Sequence, residues 1–291
     1  MSGWSYTAIA ALAVSLAPLF VFGFAGDAIV RACEKLPPFA RLILPALFGI
    51  PYALVAGVSA GGQWLVLYFT LPILIAILLR RAERADPQQQ GNWRDLAILL
   101  ILGLAVDLRW LDSAWPSHLA VIGKLMLLDS GLYGFLVIRQ LRNVGFDLLV
   151  TKDDILTGVR ELVFYAPIAL GLGLALGFLH LHATLPRPGT AALTAGVTFF
   201  LIALPEEIYF RGWIQNLLER RIGRMGSLLV TSAVFGLSHF NKRAVTFNWR
   251  YVLLATIAGF FYGRAWRRRH RVAASAITHA SVDTMWALWL R

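Results

Sequence analysis

Long apolar runs broken by short polar stretches dominate the chain. A helix needs about 20 mostly apolar residues to cross the hydrocarbon core of a bilayer, and by that rule about ten segments are candidates. They are 4–24, 40–58, 63–80, 95–111, 119–138, 159–181, 190–218, 226–240, 250–266 and 271–290. Asp107 and Arg109 interrupt the fourth, and the eighth is short, so the expectation is eight to ten spans. The pattern predicts an all-α fold, a polytopic transmembrane helix bundle. The polar stretch Arg139–Asp154 is the best internal boundary. It divides the chain into an accessory N-terminal group of helices, 1–145, and a C-terminal core, 146–291. No internal repeat is visible.

Composition supports a lipid environment. The chain is 58% hydrophobic and 15% charged, against about 45–50% and about 25% for soluble domains. Its mean hydropathy is +0.66. The net charge of +11 would suggest nucleic acid in a soluble protein. Here the bases sit between apolar runs: Arg31, Lys35 and Arg41; Arg80, Arg81 and Arg84; Arg139, Arg142 and Lys152; Arg220, Arg221 and Arg224; Arg267, Arg268, Arg269 and Arg271. That alternation is the positive-inside pattern, so the partner is the lipid bilayer and no nucleic acid is expected. It places these loops in the cytoplasm and both termini outside. Lys242, Arg243 and Arg250 run against the pattern, while the loops Ser59–Gln63, Leu111–His118 and His182–Gly189 follow it. Trp4, Trp64, Trp93, Trp110, Trp115, Trp249, Trp266 and Trp289 fall near span ends, where amphipathic rings suit the headgroup level. The single cysteine, Cys33, rules out an internal disulfide and a cysteine metal cluster. Residues 1–24 lack a positive n-region and read as a retained helix. The expected location is a multi-pass integral membrane protein, in the inner membrane if the source is bacterial.

Ionisable groups inside apolar spans are costly, and each is a functional hypothesis. Three sets occur in the last third. In Pro205-Glu206-Glu207-Ile208-Tyr209-Phe210-Arg211, Glu207 and Arg211 are spaced i,i+4 with the acid first, the favourable order for a pair. Adjacent helical residues point roughly 100° apart, so Glu206 is left without that partner and free to act as an acid or base. Pro205 disturbs the preceding turn. Phe235 and His239 share a helix face with Ser232 and Gly236, whose small size lets a neighbouring helix approach. His279 and Asp283 share a face of the final segment, where the carboxylate can fix the imidazole tautomer. Polar faces on three helices must meet or line a cavity, because lipid is closed to them.

Taken in order, Glu206-Glu207-x-x-x-Arg211, Phe235-x-x-x-His239 and His279-x-x-x-Asp283 resemble the three motifs of the CAAX-protease and bacteriocin-processing (CPBP) family of intramembrane endopeptidases. Gly259-Phe260-Phe261-Tyr262-Gly263, continuing to His279, resembles that family's last two helices, so the similarity covers roughly 190–290. The resemblance implies that Glu206 activates water together with His239, that His279 and Asp283 stabilise the oxyanion, and that Glu207 and Arg211 form a supporting ion pair. It also implies a membrane-embedded or lipid-anchored protein or peptide as substrate. Asp283 departs from the commoner asparagine. The metal-dependent alternative would use zinc held by His239, His279 and Glu206, but the chain lacks an H-E-x-x-H helix, and a metal-free glutamate mechanism is expected. No Ser/Lys or Ser/His/Asp set converges clearly.

Other polar groups weigh less. His180 and His182 close the sixth segment, and Asp107, Arg109 and Asp129 lie in N-terminal spans, where they are expected either to pair across helices or to face a substrate groove. Two other classes of function compete: a non-catalytic membrane partner or immunity protein of the same fold, and an ion-coupled transporter, which would show inverted-repeat halves.

Overall fold

The computed structural model describes residues 5–56, 62–182, 185–242 and 246–290. Trp4, residues 59–61 of the Ser59–Gln63 loop, and Arg243 lie outside them. Among the described residues the chain is helical with no strand. Among the described residues, besides two single 3-10 turns at Asp112–Ala114 and Ser117–Leu119, the longer helical segments in order are α1 (Tyr6–Glu34), α2 (Pro38–Ala56), α3 (Gly62–Ala85), α4 (Trp93–Asp107), α5 (Ala120–Ile138), α6 (Lys152–Ala175), α7 (Pro188–Leu237), α8 (Trp249–Arg269) and α9 (Val272–Trp289). Six of them, α1, α2, α3, α5, α6 and α7, are long and apolar enough to cross a membrane. The protein is an integral, multi-pass membrane protein.

Several boundaries differ from the apolar pattern for identifiable reasons. α6 starts at Lys152, well before residue 159, because Thr151 and Asp154 form a reciprocal capping box that satisfies free N–H groups at the helix start. The seventh and eighth expected spans, 190–218 and 226–240, both fall in α7, where two helices join across a kink at Gly223 (φ 72°, ψ 175°), a conformation open to glycine at little cost. α4 is only 15 residues long. It stops at Asp107, and Arg109 follows in a left-handed conformation (φ 56°). α8 and α9 fall outside the six because arginines crowd α8 and polar side chains interrupt α9.

The helices gather into two compact units, Met1–Arg142 and Asn143–Arg291. In the first, Arg139 is fully buried, held by Asp95 (Nε–Oδ1 2.9 Å) and Asp86 (Nη2–Oδ2 2.6 Å). It is a structural ion-pair centre, not a free cytoplasmic charge. Trp115 and Trp266 are also interior: Trp115 donates to the Tyr68 hydroxyl (2.5 Å), and Trp266 to the Val144 carbonyl (3.3 Å). Trp93, Trp110 and Trp249 are exposed, as expected of a headgroup belt.

The second unit packs α6, α7, α8 and α9 together. Gly236 makes the α7–α8 contact: a Cβ there would fall 2.6 Å from the Val252 carbonyl oxygen. Arg271, at the start of α9, ties down the entrance to α6 through Asp154 (2.9 Å), Asp147 (3.1 Å) and the Leu149 carbonyl (2.9 Å). Burial alone would lower the Arg271 guanidinium, but its bonds to these two carboxylates outweigh burial and hold it above its usual value.

Candidate active site

The site begins with an irregularity in α7. Proline at 205 has no N–H to give, and its ring would crowd the carbonyl four residues earlier in a regular α-helix. The backbone opens into a π turn over Phe199–Ala203, in which the Leu204 N–H reaches back to the Phe199 carbonyl. One α turn, Leu204–Glu207, follows, and then a second π stretch, Ile208–Gln215. Such widened turns are rare and concentrate at functional sites. Both glutamates sit on the α turn between them.

Their environments differ. Glu207 is fully buried, and both its oxygens are occupied. Oε1 accepts from His279 Nδ1 (2.9 Å), and Oε2 from Arg211 Nε (2.9 Å) and from the Ser275 hydroxyl. The Arg211 guanidinium lies 5.2 Å from the centre of the Phe235 ring, a cation–π contact. Glu206 is partly exposed. Its Oε1 is 3.9 Å from Lys242 Nζ and its Oε2 is 3.9 Å from His279 Nε2. Oε2 has no hydrogen-bond partner among the described residues.

His239 lies just beyond the end of α7, where the chain turns. Its Nδ1 lies 2.8 Å from the Phe235 carbonyl. A carbonyl only accepts, so Nδ1 carries the proton and Nε2 of the neutral ring is left as an acceptor. The His239 ring packs 4.7 Å from Tyr251 and is within electrostatic reach of Glu206 and His279. On α9, His279 is buried, with the Tyr262 ring stacked on it at 4.5 Å and 16°. Asp283 Oδ2 is 3.5 Å from His279 Nε2. A cavity of ≈ 80 Å³ opens beside these groups, and its lining includes His239, His279, Asp283, Tyr251, Tyr262 and Trp286.

The structure thus brings Glu206, Glu207, Arg211, His239, His279 and Asp283 into one cluster. His180 and His182 are elsewhere: their backbone N–H groups bond the carbonyls of Leu290 and Trp289, and their side chains are exposed. Asp107, Arg109 and Asp129 belong to the first unit.

Residues 188–285 match the model of the Rce1-like type II CAAX prenyl endopeptidase family. The match contains all three motifs and runs from the start of α7 to the fourth turn of α9. It is the family that the motifs resemble, over the same stretch of chain. Nothing matched among curated proteins or among solved structures.

Two participants were not singled out from the sequence. Ser275, His279 and Asp283 recur every four residues and form a polar stripe on one face of α9, so Ser275 was readable from spacing. A lone serine in an apolar helix usually bonds its own backbone. Here its hydroxyl reaches Glu207 and lies 3.0 Å from the Tyr262 carbonyl. Tyr262 stood inside a quoted motif without a role. Its stacking on His279 depends on the α8–α9 packing, which no local pattern encodes. Among the described residues, no group of three or more His, Cys, Asp or Glu side chains is arranged to hold a metal ion.

Proposed function

We propose that the protein is an intramembrane endopeptidase of the CAAX type, hydrolysing a peptide bond in a membrane-associated or lipid-anchored protein, with water activated by Glu206. The observation that carries this reading is the contrast between the two glutamates. Glu207 is saturated by Arg211, Ser275 and His279, whereas the neighbouring Glu206 has an oxygen without a hydrogen-bond partner, turned toward His279. The 3.9 Å gap between that oxygen and His279 Nε2 is too long for a hydrogen bond. It is short enough for both atoms to reach one water molecule.

In this mechanism Glu206 accepts a proton from water, and the water oxygen bonds to the substrate carbonyl carbon. The carbonyl π pair moves onto oxygen. His239 holds the water through its Nε2 acceptor. His279, whose Nδ1 is fixed by Glu207, donates from Nε2 to the developing oxyanion when protonated. Glu206 then delivers the proton to the leaving nitrogen as the C–N bond breaks. Arg211 and Ser275 keep Glu207, and through it His279, in position. No metal takes part. The substrate class is that of the matched family, prenylated proteins ending in a CAAX sequence.

The test uses purified full-length protein and a prenylated CAAX peptide. Cleavage by the wild type and its loss in Glu206→Gln, with unchanged thermal unfolding, is the expected result. Full activity in Glu206→Gln would sink the mechanism. An accompanying proteomic comparison of membranes carrying wild type or Glu206→Gln identifies the natural substrate as the protein that accumulates uncleaved.

A further inference from the structure

We infer that Tyr262 is a further catalytic residue, whose hydroxyl donates a hydrogen bond to the oxyanion of the tetrahedral intermediate beside His279. The inference rests on the protease reading above and deepens it. The chemical need comes first. When water adds to the carbonyl carbon, the C=O π pair becomes a localised charge on oxygen, which must be met by donors already in place. Asp283 stands where the resembled motif more often carries asparagine. An ionised carboxylate only accepts hydrogen bonds and offers no donor to an oxyanion. One donor, His279 Nε2, remains from the motif pair.

Tyr262 fits the missing place. Its ring is stacked on His279 at 4.5 Å, and both residues line the cavity that Asp283 also borders. Its side chain is only 1% exposed. Among the described residues its hydroxyl makes no hydrogen bond. Of the other cavity tyrosines, Tyr165 directs its hydroxyl to the Leu254 carbonyl (3.4 Å), and Tyr251 lies against His239 instead. Tyr262 is also wired to the site through its backbone, since its carbonyl lies 3.0 Å from the Ser275 hydroxyl that touches Glu207. The hydroxyl forms no covalent bond and loses no proton in the step. It donates to the oxyanion and is released when the carbonyl re-forms and the amine leaves.

Tyr262→Phe removes the hydroxyl and keeps the stacked ring. With full-length protein in detergent and a prenylated CAAX peptide, kcat should fall by roughly 10²-fold, the usual loss for one oxyanion donor. KM should change little, and thermal unfolding should not change. A phosphinic analogue of the same peptide, which mimics the tetrahedral oxyanion, should lose affinity by the same factor as kcat/KM. An active wild type with an unimpaired Tyr262→Phe overturns the inference alone. So does a loss of kcat without loss of phosphinate affinity, which would give Tyr262 a positioning role. An inactive wild type overturns the protease reading and this inference with it. If Tyr262→Phe loses its thermal transition, 3,5-difluorotyrosine at 262 decides: its more acidic hydroxyl should hold the phosphinate at least as tightly as wild type, and weaker binding overturns the inference.

Discussion

Glu206 and Glu207 are neighbours in the chain, yet they meet different surroundings because adjacent helical residues point roughly 100° apart. The Glu207–Arg211 pair could be read from i,i+4 spacing. The bond from Glu207 to His279 could not, because 72 residues separate the partners and only helix packing joins them. The sequence reading gave His279 to Asp283, but the shorter contact is to Glu207, 2.9 Å against 3.5 Å. Arg211→Ala should therefore do more than remove a surface charge. It leaves the buried Glu207 carboxylate without its guanidinium, and breaking a buried pair in this way costs about 3–5 kcal/mol. A marked fall in the thermal midpoint in detergent is expected, and a midpoint equal to wild type would contradict that role. Ser275→Ala removes one charge-assisted bond to the Glu207 carboxylate, and a smaller loss of about 1.5–3 kcal/mol follows. Comparing the two midpoints tests the ordering.

At the scale of elements, the long apolar helices were legible and their irregularities only in part. Apolar runs report burial or lipid contact along a segment. They are silent on whether one turn is α or π, whereas the polar break between 218 and 226 does mark the kink at Gly223 in α7. Pro205 did signal a disturbed turn, and the π stretches before and after it give that disturbance a form. The α6 start was missed because the polar first turns around Thr151 and Asp154 read as loop, although their capping spacing was present in the sequence. The small face of Ser232 and Gly236 was legible as a close-approach site, and the structure brings Val252 and Thr256 of α8 against Gly236. A methyl there meets backbone oxygen, which cannot swing away like a flexible side chain. Gly236→Ala should cost about 1–3 kcal/mol, the usual penalty of overpacking. It should also lower kcat, because His239 follows three residues later. A Gly236→Ala protein with wild-type midpoint and turnover would mean that α7 and α8 separate freely.

For the whole molecule, composition was enough to establish a multi-pass helical membrane protein, because 58% hydrophobic content leaves too few polar groups to cover a water-soluble surface. α8 and α9, which fall outside the six long apolar spans, contribute Tyr262, His279 and Asp283 to the site, and α7, which is one of the six, contributes Glu206, Glu207 and Arg211. The same whole-molecule view bears on metal dependence. Zinc would need neutral imidazole or carboxylate donors converging on one point at about 2.0–2.2 Å. In the second unit His279 Nδ1 is committed to Glu207 and His239 Nδ1 to the Phe235 carbonyl, which leaves the two Nε2 atoms and the carboxylates of Glu206 and Asp283 as donors near the cavity. Asp283→Asn discriminates between the mechanisms. If residue 283 serves the oxyanion, the amide adds an N–H donor and removes a charge, so activity should be retained or raised near neutral pH. If it binds metal, the weaker amide ligand should reduce activity, and the loss should be relieved by added Zn²⁺. We expect purified wild type and Asp283→Asn to cleave a prenylated CAAX peptide equally well with and without chelator. Chelator-sensitive cleavage restored by Zn²⁺, together with a loss in Asp283→Asn, would replace the glutamate mechanism with a metal-dependent one.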